Sequence, residues 1–211
     1  MAETRDTRSL IFDAAREEFA AHGIAGARMR RIAAAAGVSS ERLYAYFGDK
    51  QSLYLEVQRQ TALEIASVKI DPFDVPGFVG RLYDQINEHP ELMRINRWGQ
   101  LEGVTPKNFK AGDPRITSYN ENVNALREAQ NLGLIDARFS PTELYAILGG
   151  LAATWEHAPV ELRQLDIESR EGTEIYEARR AAVVAAAMRL IAPRTADSGS
   201  ASFAAEQPAG R

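Results

Sequence analysis

The chain of 211 residues has no cysteine, so it carries no disulfide framework, no thiolate nucleophile and no zinc–cysteine site. Histidine is scarce: His22, His89 and His157 lie far apart, without the His-x-x-x-His or Glu-x-x-His spacing of a metal-binding bundle. No apolar run approaches the ~18 residues of a membrane-spanning helix; the longest extends only from Ala181 to Met188. A Walker-type glycine-rich loop and a Gly-x-Ser-x-Gly elbow are both missing. No alternating apolar–polar run of useful length signals a strand. The N-terminus, MAETRDTRSL, is charged where a signal peptide has its apolar core, so export is not expected. These absences lead to the expectation of a cytoplasmic protein that is not an enzyme, with no cofactor, no metal and no membrane partner.

What is present is ordinary globular material, 45% hydrophobic, with a formal net charge of −4 that is unevenly spread. Residues 1–59 hold nine basic and eight acidic side chains, which leaves −5 for the remainder. Arg28, Arg30, Arg31, Arg42 and Lys50 stand against only Glu41 and Asp49 in the stretch 28–50. Such a basic segment on an acidic body is either a polyanion-binding module or solvated helix surface; charge alone does not choose.

Periodicity is helical throughout, and the expected fold class is all-α. Leu10, Ile11, Ala14, Ala15 and Phe19 form one stripe that ends at His22-Gly23. The Glu17-Glu18 pair reads as the solvated side of that helix. Met29, Ile32, Ala33 and Ala36 make a second, short stripe, stopped by Gly37. Ser39 or Ser40 can cap a third helix through Leu43 and Phe47. Asp49 can cap a fourth, along which Leu53, Val57, Thr61, Ile65 and Val68 recur. Beyond the turn-rich DPFDVPG come helices at about 76–88, 90–102 and 115–132, with 103–114 a loop. Ser140-Pro141-Thr142-Glu143 is a capping box opening a helix to about His157. A polar linker and a helix of about Thr173–Ala192 follow, then a small, polar tail from 194 that reads as disordered.

The short second helix, the turn Ala36-Gly37-Val38-Ser39 and the short third helix have helix-turn-helix spacing, which can set the start of the later helix in a DNA major groove. The stretch RRIAAAAGVSSERLYAYFGDKQSL carries IA-x-x-AGVS, then LY-x-x-F, then K-x-x-L, preceded by IFDAAREEFAAHGIAG. With these motifs, residues 7–57 resemble the TetR family of transcriptional regulators. The resemblance implies a three-helix N-terminal bundle (1–50), a helical effector-binding and dimerisation domain (51–193), and the tail (194–211). It also implies repression, a palindromic double-stranded operator, a homodimer and release by a small-molecule effector. The alternative is a helical protein-interaction module without DNA binding.

The resemblance assigns DNA contacts residue by residue. Tyr44 and Tyr46 occupy the family's contact positions, and Lys50 matches its phosphate-holding lysine at the fourth helix's first turn. Arg42 either forks onto guanine or pairs with Glu41. Ser39 and Ser40 are caps first and phosphate donors second. Two positions depart from the pattern. Arg28 stands where the family has a Ser or Thr cap, and can still reach a phosphate by charge. Glu41 replaces a glycine, where a carboxylate either repels phosphate or accepts from cytosine's amino group.

In the second domain Tyr83, Met93, Trp98, Phe109, Tyr119 and Trp155 are core or pocket residues. Trp98, Tyr119 and Trp155, on different helices and each with a polar tip, are the candidates for the ligand pocket. The stretch Ala181–Ile191 is apolar at every position except Arg189, so it must bury two faces. It is either a central helix of one subunit or part of a dimer interface; Gly149 and Gly150, with Ala182 and Ala186, are the candidate contact residues for the second.

Overall fold

The structure, a computed structural model, describes residues 6–104, 113–169 and 172–193, with the side chains of 166–169 outside the description. The expected disordered tail, Phe109 and most of the 103–114 loop lie outside the described residues. Helices α1 Thr7–Gly26, α2 Met29–Ala35 and α3 Ser40–Phe47 come first, followed by α4 Lys50–Ala66, α5 Val75–Glu88 and α6 Pro90–Leu101. Then come α7 Pro114–Asn131, α8 Pro141–Ala152, α9 Thr154–His157, α10 Val160–Ser169 and α11 Gly172–Ile191. Among the described residues there is no strand.

Local chemistry starts these helices where the sequence places the caps. Ser39 accepts from the Arg42 amide, Asp49 from the Ser52 amide and Asp74 from the Gly77 amide. At α8 both halves of the capping box are made, Ser140 with the Glu143 amide and Glu143 with the Ser140 amide. Each such bond satisfies an otherwise orphaned helix donor and contributes roughly 1 kcal/mol.

Two differences from the sequence reading have plain causes. The helix expected to reach His157 is interrupted at Ala153, and the short α9 resumes it. The expected polar linker is instead α10, which starts after Pro159, whose carbonyl accepts from the Arg163 amide. Its apolar residues do not make a buried stripe: Val160, Leu162 and Leu165 are all exposed, so periodicity carried no signal there.

Two apolar cores result. The first gathers Ile11, Ala15 and Phe19 of α1, Ile32 of α2, and Leu43 and Phe47 of α3, and adds Leu53, Tyr54 and Val57 of α4 and Ile95 of α6. The second gathers Phe78, Leu82 and Tyr83 of α5, Leu126 of α7, Leu144 and Leu148 of α8, and Val183, Ala187 and Ile191 of α11. Residue 50 is the first residue of α4, whose next two turns pack into the first core. The later turns of α4 carry Ile65 against the second core, and α6 does likewise with Met93. These two helices are the mechanical connection between a small N-terminal head and a larger body.

Candidate nucleic-acid interface

The turn between α2 and α3 is built by Gly37, whose φ of +68° an L side chain rarely adopts. Behind it Ile32, Leu43 and Phe47 are buried, so α3 turns its remaining faces to solvent. Glu41, Arg42, Ala45, Tyr44 and Tyr46 lie there, the two tyrosines 47% and 41% exposed although aromatic rings gain from burial. Ser40 is half-buried and Ser39 exposed. The structure therefore brings Ser39, Ser40, Arg42, Tyr44 and Tyr46 together on one short helix.

Of the two roles open to Arg42, ion pairing with Glu41 is not made among the described residues. The Glu41 carboxyl is held below its ordinary range by its own backbone amide and then by the Ser39 hydroxyl.

Arg28 is the N-cap residue of α2, extended in backbone and without a side-chain cap bond. The start of α2 is held from α1 instead. Glu18 Oε1 accepts from the Arg28 amide at 2.8 Å and from Arg31 Nε at 2.7 Å. Burial raises the Glu18 carboxyl, but the Arg31 and Arg28 donors outweigh it and hold it below the ordinary glutamate range. Glu18 is therefore not the solvated residue expected; its carboxylate takes the N-cap amide, the bond that the glutamate of a capping box makes. Its partner is ten residues on in the chain, beyond the reach of a local capping pattern. The Arg28 guanidinium itself is exposed.

Lys50 is half-buried, and its ammonium donates to the Ala25 and Ala27 carbonyls at 3.4 and 3.2 Å. It thereby ties the start of α4 to the end of α1, a contact the sequence did not announce.

The head is clamped from the body at the same end of α1. Gly23 breaks the helix with φ +63°, and a Cβ there would stand 2.8 Å from both Glu102 Oε1 and Trp98 Cε3. Glu102 accepts from the Ile24 amide at 2.7 Å and from the Ala25 amide at 3.2 Å, while Trp98 Nε1 donates to the Ala20 carbonyl at 3.3 Å.

The three candidate pocket residues each have a different neighbour. Trp98 lies against α1, Tyr119 packs edge-on to Tyr145 with ring centres 5.8 Å apart, and Trp155 carries the Arg179 guanidinium 4.0 Å from its ring centre. Burial raises the phenols of Tyr119 and Tyr145, as in a packed interior. Among the described residues no group of three or more His, Cys, Asp or Glu could hold a metal ion, and no helix is long and apolar enough to cross a membrane.

The candidate interface residues lie as follows. Val183, Ala187 and Ile191 of α11 are buried, but Ala181, Ala182, Ala185 and Met188 are exposed and Ala186 is half-buried. On α8, Gly150 is exposed, Gly149 is half-buried, and a Cβ added at either would meet nothing within 4 Å.

Comparison with known proteins agrees with this division of labour. Residues 11–57 match the model for bacterial regulatory proteins of the tetR family, and residues 74–189 the model for the tetracyclin repressor-like C-terminal domain. The chain is 37% identical over 161 residues to the HTH-type transcriptional repressor SCO4008 of Streptomyces coelicolor, covering 75% of this chain and 82% of the relative. It is 40% identical over 63 residues to the HTH-type transcriptional repressor AcnR of Corynebacterium glutamicum, covering 30% and 34% respectively. The crystal structure of the transcriptional regulator SCO4942 from Streptomyces coelicolor superposes with a TM-score of 0.77 at 35% identity, covering 90% of this chain and all of that one. A helix-turn-helix head with a guanidinium and two phenols on its open helix, carried on a helical body of this kind, is a DNA-binding regulator: the chain belongs to the TetR family of transcriptional regulators.

Proposed function

We propose that the protein is a repressor that binds a palindromic operator as a homodimer and leaves it when a small molecule occupies the body. The observation that supports this most is the open face of α3, where Arg42, Tyr44 and Tyr46 stand clear of the core. In this reading Arg42 forks onto a guanine, and the tyrosine hydroxyls, Ser39, Ser40 and Arg28 meet phosphates or base edges. Lys50 has three N–H donors and spends two on α1 carbonyls, which leaves one for a phosphate. Residues 7–57 form the reading head and the helices from α5 onward the regulatory body, with α4 shared.

Two heads are held at half-site spacing by a two-fold contact of α8 and α11 through Gly149, Gly150, Ala182 and Ala186. The uncovered small and apolar residues on both helices support that contact. Effector binding releases DNA by favouring an arrangement of heads that no longer fits the half-sites, which requires unequal affinity for the two arrangements.

Anisotropy with the protein's upstream DNA tests the head. Arg42→Ala should cost about 1–3 kcal/mol at one base pair of each half-site and relax preference there. Lys50→Ala should weaken all sequences alike and lower the salt slope by about one phosphate per subunit. Operator binding like wild type in both variants contradicts the assignment.

A further inference from the structure

Arg94, Arg97, Trp98 and Leu101 are spaced three and four residues apart, so they share one face of α6. That face meets α1 at Ala20 and Ala21, whose methyl groups fill little of the space between the helices. Together these six residues line a cavity of about 320 Å³, within the about 300–1,000 Å³ typical of small-molecule sites. The walls are of two kinds. Trp98, the exposed Leu101 and the alanine methyls are apolar; Arg94 and Arg97 bring two guanidinium groups one turn apart.

Neither arginine is neutralised. Arg97 Nη2 donates to the Glu156 carbonyl at 3.1 Å and Arg94 Nε to the Pro90 carbonyl at 3.5 Å, and neither has a carboxylate partner among the described residues. A guanidinium has five N–H donors, so most are unspent. Glu102, at the C-terminal end of α6, is committed to the Ile24 and Ala25 amides. Asp13, Glu17 and Glu91 line an adjoining groove that shares Ala20, Ala21 and Arg94 with this cavity, and Glu91 faces Arg16 and His89 there.

From this juxtaposition we infer that the α1–α6 cavity is a binding site for a free amphipathic monoanion, a carboxylate or sulfonate with an apolar body. The anionic head forks onto Arg94 and Arg97, where paired N–H···O bonds are charge-assisted. The apolar body lies on Trp98 and Leu101 against the two alanines. Acids in the next groove repel a second negative charge, which sets the preference for one. Because α1 belongs to the head and α6 spans to the body, the ligand touches both sides of the joint clamped by Glu102. The DNA-binding reading rests on the open face of α3 and not on this site, so failure here leaves that reading standing.

The test is direct binding without DNA. In a Trp155→Phe background, Trp98 is the sole tryptophan, and its emission reports on the cavity. Titration with decanoate below its micellar range should give a saturable change, whereas decyltrimethylammonium, with the same tail and the opposite charge, should give none. Arg94→Ala/Arg97→Ala, both exposed positions, should weaken decanoate by about tenfold or more. Ala21→Phe, also at an exposed position, should abolish the response by filling the cavity from α1 while circular dichroism stays native. No saturable change with decanoate, an equal response to the cation, or an unchanged affinity in the arginine variant would overturn the inference.

Discussion

Head and body expose different chemistry. The head buries nearly all its large apolar side chains around Phe19, Leu43 and Tyr54, and what it leaves outside on α3 is guanidinium, phenol and hydroxyl, with the Glu41 carboxylate and the Ala45 methyl among them. The body leaves outside alanines 181, 182 and 185, Ile147 and Met188 on α8 and α11, and Val160, Leu162 and Leu165 on α10. A surface of the first kind is stable in water and suited to a polyanion. One of the second kind gains free energy only when something apolar covers it. The head thus offers a polar surface to a polyanion, whereas the body offers one that gains from an apolar cover.

The largest effect should come from breaking that contrast in the body. Ala182→Glu places a charge on a face that is solvent-exposed in one subunit, so the subunit should still fold. At a two-fold contact the same carboxylate is buried against a partner, which costs several kcal/mol. Light scattering should show a monomer, and affinity for a palindrome should fall by about 100-fold or more, because two half-sites are no longer engaged together.

Smaller is the cost of disturbing the joint between the two regions. Gly23→Ala introduces a Cβ at positive φ, 2.8 Å from Glu102 Oε1 and Trp98 Cε3. Destabilisation of about 1–3 kcal/mol is expected from such backbone strain and displacement, read as a lowered unfolding midpoint. Glu102→Ala should relieve part of it, since one obstructing atom is removed; additive losses would show that the two do not share a contact.

The smallest effect lies within the head. Glu18→Gln removes the charge from the acceptor that serves both Arg28 and Arg31, and should cost about 1 kcal/mol at neutral pH. The Glu18 carboxyl is depressed in the folded state, so its contribution is complete above the unfolded glutamate value near ~4.3 and is lost as pH falls through the lower folded value. Wild type and variant should therefore converge in stability in acid. A constant difference down to low pH would mean that Glu18 acts by packing alone.

The same contrast explains what could be read in advance. The head's turn was legible because its signals are local: Gly37 for positive φ, Ser39 as cap, and Ile32, Leu43 and Phe47 at helical spacing. The α8 start was legible for the same reason, its capping box lying within four residues. What escaped was long-range or unpatterned. Glu18 reaches across to α2, Glu102 returns to amides nearly eighty residues back, and the Trp98 indole donates to α1. No spacing rule encodes such partners. Helix α10 escaped because its leucines stay exposed and so make no buried stripe. The uncovered face of α11 was foreseeable from alanine content, but no local pattern names a surface to cover it.

The central claim is that the open face of α3 reads DNA in a paired arrangement. Selection from a pool of random duplexes by the purified full-length protein tests it most directly. The account predicts enrichment of an inverted repeat whose half-sites lie one helical turn or a multiple apart, bound with an affinity that falls steeply with salt. Enrichment of no common sequence, or of a single unrepeated half-site by a protein that remains monomeric, would contradict it.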